Sequence, residues 1–572
     1  NIILKNLVTQ LSKIDNDKEV LVGLYDSNGM LNYNIIGLMS GTSIDGVDGT
    51  GDDLTINSGT GALTLQAIGA TQALSTLNIN TAATSTANIS LPNIGDAGND
   101  GVDGATNIGN SLTNQLTISG TIYKTGGATD YEAKSGNTIL LTGVSPTITT
   151  GGADLSFSTG NLVLSSAGTT TFTTGSGSAG GITVAGTIDG TNGQDEALAL
   201  ESGSGAIQLQ GTIGGTNPVT TLAINSTNGS AGTIEIVGIG DSDTTGASST
   251  ATIGNTSTGT LTLDGTIYKT GGNQTYVASA TGNDSGQNID ITGAATFTTT
   301  NDAVAFNTSG VDLANNGTTT INTGTGAGDV TFAAALESNG GGNDDLTITS
   351  GSGTVTFSNT VGAANALGDL SINASSGSGT ITFSSTIGDA GNAGTTGTTA
   401  IGNDTTGTIN FNSTLYKFDG GTTTITTTSG ENIELGATAA TTIASAGESL
   451  TFATGTIDLS NGTNLTINSV GGAITIVGIA GDSDETVTIS ADDAIADGDA
   501  GDSTTETVSL GNVGDSDSTE IHNLTVTADE GITLTGAIYT SADATAGGSE
   551  GADIVFNDKV LVNGTVIIDS ND

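Results

Sequence analysis

Residues 346–383 read LTITSGSGTVTFSNTVGAANALGDLSINASSGSGTITF, and they state one pattern twice. Leu346 and Ile348 return as Leu370 and Ile372, 24 residues on, and Val355-Thr356-Phe357 returns as Ile381-Thr382-Phe383, 26 on. Each copy alternates apolar residues with Thr or Ser, which is the period of a β-strand. Each breaks at a Ser/Gly run, where the backbone turns most readily. The spacing recurs elsewhere: Leu54 and Ile56 return as Leu77 and Ile79, 23 on, and Leu198 returns as Leu222, 24 on. A strand-turn-strand unit of about two dozen residues, repeated with no helical segment between copies, is the signature of one coil of an all-β solenoid.

Composition agrees with that architecture. The chain has 572 residues, more than one globular core ordinarily holds, whereas a repeat unit needs only its neighbours. Gly supplies 90 residues, Pro 3 and aromatics 3%, so the expected core is thin and built from Val, Ile, Leu, Ala and Thr. Disorder is the rival for a chain this polar, and the regular apolar alternation argues against it. Acidic residues number 58 and basic ones 8, for a net charge of −50. All eight basic residues are Lys (5, 13, 18, 124, 134, 269, 417 and 559). Phosphate backbones and anionic membranes repel such a chain, so neither nucleic acid nor membrane insertion is expected, while cations are attracted. The absence of Cys removes disulfides and thiolate metal sites and fits an exported protein. The start at Asn1 is read as a removed leader or as a segment of something longer.

Residues 1–50 differ from the rest. Ile3, Leu4, Leu7, Val8, Leu11 and Ile14 fall at helical spacing. Asp26-Ser27-Asn28-Gly29 can turn a hairpin between 19–25 and 31–38. This stretch is expected to be a small α+β cap covering the open strand edges of a solenoid over 51–572. A longer period overlies the coils. Asp96, Asp241 and Asp389 each follow Ile-Gly, and Tyr123, Tyr268 and Tyr416 each precede Lys; both sets are spaced 145 and 148. Ile-Gly-Asn triplets ending at Asn110, Asn255 and Asn403 recur in step. The expectation is a tandem repeat of roughly six coils, with a looser fourth copy at Tyr539 whose acidic landmark is either Asp482 or Asp515.

The coil pattern L-x-I-x-S-x-G-x-(I/V)-x-F, the missing Cys and the long tandem copies resemble the right-handed parallel β-helix repeats of filamentous-haemagglutinin-like bacterial surface proteins. That resemblance covers about 50–572 and implies a right-handed β-helix, secretion, surface display and an adhesive or structural role. A second, local resemblance lies in the cap. Residues 36–48, IGLMSGTSIDGVD, are similar to the phosphate-binding opening of anhydro-N-acetylmuramic acid kinases, which implies that Ser40, Gly41, Thr42 and Asp45 face ATP. The two-domain body such a kinase needs is missing downstream, and one loop does not supply phosphoryl transfer. The motif is read as a turn or a relic.

Candidate metal ligands are the acids of the Gly-rich turns: Asp96, Asp100, Asp103, Asp241, Asp243, Asp389, Asp482, Asp484, Asp515 and Asp517, with Glu485 beside them. Carboxylates two residues apart in such turns can converge with carbonyls on Ca²⁺, which takes six to eight hard oxygens. The alternative is that Asp and Gly simply populate solvated turns. The landmark Tyr residues read as corner packing with wet hydroxyls, and His522 as an ordinary loop residue. The expected function is therefore non-enzymatic: an extracellular surface stalk, adhesin or protomer of a filament or surface layer. Its expected partners are other copies of itself and host or surface glycans, with Ca²⁺ bridging acidic flanks. A carbohydrate-degrading β-helix, tailspike-like or lyase-like, is the alternative function. β-Sandwiches with the long period as a domain repeat are the alternative fold.

Overall fold

A computed structural model describes residues 24–25, 31–36 and 43–44 and, from 51 onward, all but 176–178, 192–194, 228–231, 281–286, 340–343, 460–461, 483, 493–505, 515–518, 542–551 and 572. Among the described residues there is no helix, and the strands stack in parallel as a right-handed β-helix. The contacts divide the chain into two units, 1–232 and 233–572.

In the first unit each coil contributes up to three strands, and each strand stacks on its counterpart one coil later. One face runs through Asp53–Asn57, Thr76–Ile79, Thr106–Gly109, Thr129–Glu132 and Leu155–Thr159. The second runs through Leu63–Leu65, Ile89–Leu91, Leu116–Ile118 and Thr138–Leu141. The third runs through Ile122–Thr125, Thr147–Thr150 and Gly168–Thr173. Inward positions form columns such as Leu77 and Ile79, fully buried, while the Thr, Ser and Asn between them face outward. Within residues 1–50, Leu24–Tyr25 pairs antiparallel with Leu31–Ile36, so the expected hairpin forms, and the latter strand runs parallel to Asp53–Asn57. The helical pattern at 3–14 lies outside the described residues.

The second unit stacks the opening repeat as its spacing requires: Leu346 on Leu370, Ile348 on Ile372, and Val355-Thr356-Phe357 on Ile381-Thr382-Phe383. Its core differs from the expected small-residue filling. Tyr276, Phe306, Phe332, Phe357, Phe383 and Phe411 form one continuous ladder, with successive ring centroids 5.2, 5.0, 5.2, 5.0 and 5.4 Å apart. The inter-rung distance of about 4.8 Å places identical rings at stacking separation. A second column carries Tyr268 on Phe297, 4.9 Å apart.

The long repeat is not a whole number of turns. From Tyr268, one column passes through Phe297, Ile321, Ile348, Ile372 and Ile401 and completes its sixth turn at Ile425. Tyr416 instead lies on the preceding face, stacked on Ile387 and Val361. The repeat is one face short of six turns, so the Asp241/Tyr268 and Asp389/Tyr416 landmarks point in different directions.

Candidate functional site

The three landmark acids are turn braces. Asp96 Oδ1 accepts the Gly98 and Asn99 backbone N–H groups at 2.7 and 2.8 Å. Asp241 Oδ1 accepts those of Asp243 and Thr244 at 2.8 and 2.5 Å. Asp389 Oδ1 accepts those of Gly391 and Asn392, both at 2.7 Å. Preceding each is a Gly at φ +75, +75 and +73°, a conformation that costs other residues energy, which is why the landmark is Ile-Gly-Asp. These backbone donors hold all three carboxyls below the usual carboxylate value, with the Lys of the following coil adding a smaller effect. A lowered folded pKa contributes stability above the ordinary value of 3.8, and that stability is lost as pH falls through the folded value. Limited proteolysis is expected to cut the 389–394 loop faster in Asp389→Ala than in the parent at pH 7. Asp389→Asn, which keeps the Oδ1 acceptor, is expected to stay close to the parent.

Residues far apart in sequence meet on neighbouring coils. Ile94 stacks on Tyr123, Ile239 on Tyr268 and Ile387 on Tyr416. The Tyr rings are fully buried, and their hydroxyls are not wet as the sequence suggested. Tyr123 Oη donates to Leu91 O at 2.9 Å and accepts from Gly120 N, and Tyr268 Oη donates to Ile236 O at 2.9 Å. Burial pushes these phenols upward. The adjoining lysines differ: Lys124 pairs with Asp100 at 3.2 Å, Lys269 donates to Ser242 O, and Lys417 pairs with Asp419 at 3.6 Å. In the fourth copy Ile538 takes the inward position and Tyr539 turns partly outward. Val513, two residues before Asp515, stacks on Ile538; Asp515 and Asp517 themselves lie outside the described residues.

A further set was missed. Asn80, Asn225 and Asn373 are fully buried at φ +53, +46 and +51°. Each side-chain oxygen accepts the N–H of Ser58, Ser202 or Ser350 from the preceding coil, at 2.6, 2.8 and 2.9 Å. Their spacing of 145 and 148 was the available signal.

Two further groups of acids stand out, a cluster and a column. Glu485 is fully buried and accepts from the Asp482 and Asp484 backbone N–H groups. Burial, with Asp482 adding to it, pushes its carboxyl up to about 7. His522, nearly buried, stands in the bend before Asn523–Thr527, with Nδ1 3.1 Å from Ser541 O. Elsewhere Asp290, Asp312 and Glu337 stack on consecutive rungs. Asp312 Oδ1 is buried and has no hydrogen-bond partner among the described residues. Its burial, then Asp290, Asp344 and Glu337, push it up to about 6. A raised carboxyl contributes stability that is complete below its ordinary value of 3.8 and lost as pH rises through about 6. Asp312→Asn is therefore expected to flatten the pH dependence of melting in that window and to raise Tm at pH 7.5; an unchanged profile would contradict this. Among the described residues no group of three or more His, Asp or Glu is placed to hold a metal ion.

One depression stands out in the first unit. It is an open hollow of about 490 Å³ beside the Asp96 turn, and its wall includes Gln72, Asn99, Asp100, Asp103 and Lys124. Asp96 braces the turn, whereas Asp100 and Asp103, two residues of the same sequence cluster, face the depression. Of the kinase-like segment, Ser43–Ile44 runs as a strand against Thr64 and Leu65, while Ser40, Gly41, Thr42 and Asp45 lie outside the described residues. Comparison of the chain with protein-family models, with curated proteins and with solved structures finds no match.

Proposed function

We propose that this chain is an extracellular structural protein, a surface stalk, adhesin or protomer of a filament or surface layer, in keeping with its filamentous-haemagglutinin-like coil pattern. One observation carries the proposal: the recurring Asp side chains are spent on bracing their own turns, and the recurring Asn and Tyr side chains on tying neighbouring coils together. Two tandem copies of these landmarks also face different directions, which suits a scaffold better than a shared catalytic groove. The charge of −50 keeps copies apart until divalent cations bridge them. Electron microscopy of the purified chain with and without millimolar Ca²⁺ tests this. Ordered filaments or sheets that dissolve in chelator are expected; dispersed particles indifferent to Ca²⁺ would remove cation-bridged assembly and leave the stalk or adhesin.

A second function, carbohydrate degradation, is favoured by the Asp290–Asp312–Glu337 column, where an acid of raised pKa sits between two other carboxyls as a general acid would. Loss of viscosity in a panel of polysaccharides, abolished by Asp312→Asn, would support it. Unchanged viscosity across the panel would remove it.

A further inference from the structure

The tandem copies provide an internal comparison. Residues 94–110 align without gaps with 239–255 and 387–403. The turn-bracing acid is common to all three, as Asp96, Asp241 and Asp389, and so is the Gly at 101, 246 and 394. Asp100 and Asp103 are peculiar to the first copy, since Thr245 and Ser248 replace them in the second and Ala393 and Thr396 in the third. The turn closes in every copy through the same backbone contacts, so the fold does not require these two acids. They line the 490 Å³ depression together with Lys124.

We propose that this depression binds a neutral saccharide, which names the ligand class of the adhesive role proposed above and rests on it. Sugar hydroxyls both donate and accept, and the depression offers acceptors in Asp100 and Asp103 and a donor in Lys124. The Asp100–Lys124 pair, at 3.2 Å, fixes one acceptor beside one donor. Its volume lies within the range of about 300–1,000 Å³ usual for small-molecule sites. Two carboxylates against one ammonium leave the wall net negative, which selects against uronates and sialic acids. Its open polar surface implies weak monosaccharide binding, strengthened by multivalent display.

The test is saturation-transfer NMR on the full chain with the methyl glycosides of glucose, galactose, mannose and N-acetylglucosamine, and methyl glucuronide as the anionic control. At least one neutral glycoside is expected to bind with Kd on the order of 1–10 mM, and the glucuronide is not. Asp103→Asn and Lys124→Met are each expected to weaken that binding about tenfold or more, a loss the size of a charged hydrogen bond. Lys269→Met, at the matching position of the second copy, is expected to leave it unchanged. No transfer to any neutral sugar at about 50 mM, well above the expected Kd, would overturn the proposal, as would binding indifferent to both first-copy substitutions. Beads coated with the chain separate this failure from that of the adhesive role. Beads that adhere to glycan-bearing surfaces equally well with parent and Asp103→Asn/Lys124→Met chains would remove this site alone. Beads that adhere to none would remove the adhesive role as well.

Discussion

Phe357→Ala is expected to destabilise the second unit by about 3–5 kcal/mol, the usual cost of truncating a buried ring. Phe357 is 1% exposed and lies between Phe332 and Phe383 at 5.2 and 5.0 Å, with interplanar angles of 1 and 4°. Its removal therefore opens a cavity and ends two stacking contacts together. In a solenoid each coil is stabilised by its neighbours, so the loss is expected to spread along the ladder and to lower the cooperativity of urea unfolding followed by circular dichroism. Thr356→Ala, one residue away on the outward face, is expected to change stability by no more than about 0.5 kcal/mol. Equal effects at the two positions would mean that the strand does not present Phe357 to a packed interior.

Asn373→Ala is expected to cost about 2–4 kcal/mol, combining a buried donor left without its acceptor and a left-handed backbone imposed on a residue with a Cβ. The donor is Ser350 N, 2.9 Å from Asn373 Oδ1, and the backbone sits at φ +51°. Asn373→Gly separates the two terms. It relieves the backbone cost and leaves the Ser350 N–H unpaired, so it is expected to fall between the parent and Asn373→Ala in thermal melts. A glycine variant as stable as the parent would show that the buried hydrogen bond contributes little.

The stacking itself was legible in the sequence because one face of each strand is buried, and burial writes a period of two. Leu346, Ile348, Val355 and Phe357 each predict the partner they stack on. The aromatic ladder was only half legible. Phe357 and Phe383 are in view in one stretch, but Phe306, Phe332 and Phe411 join them only once unequal loops are assigned to corners. The same unequal loops hide the face on which each long repeat begins, which is why six turns were expected and the structure stops one face short. Asn373 follows directly on the strand Leu370–Ile372, and its burial depends on a positive φ, which the letters do not record. The acids illustrate a different limit. Asp241 and Asp243 stand two apart in a Gly-rich turn, and the letters do not record that Asp241 Oδ1 accepts the Asp243 and Thr244 backbone N–H groups. The tyrosine hydroxyls were misjudged for the same reason, since their partners are the Leu91 and Ile236 carbonyls of the preceding coil.

The central claim is that consecutive copies of the short repeat stack in parallel and in register. The chain has no Cys, so a pair of introduced thiols reports their neighbours directly. Thr356 and Thr382 are register partners on adjacent rungs and face outward. Thr347, nine residues before Thr356, lies on a different strand of the same coil and would oppose Thr356 only if the Ser350–Gly353 turn closed an antiparallel hairpin, as in a β-sandwich. Under mild oxidation, Thr356→Cys/Thr382→Cys is predicted to form an intramolecular disulfide and Thr347→Cys/Thr356→Cys is not. The reverse outcome, a link across 347 and 356 and none across 356 and 382, would contradict the solenoid.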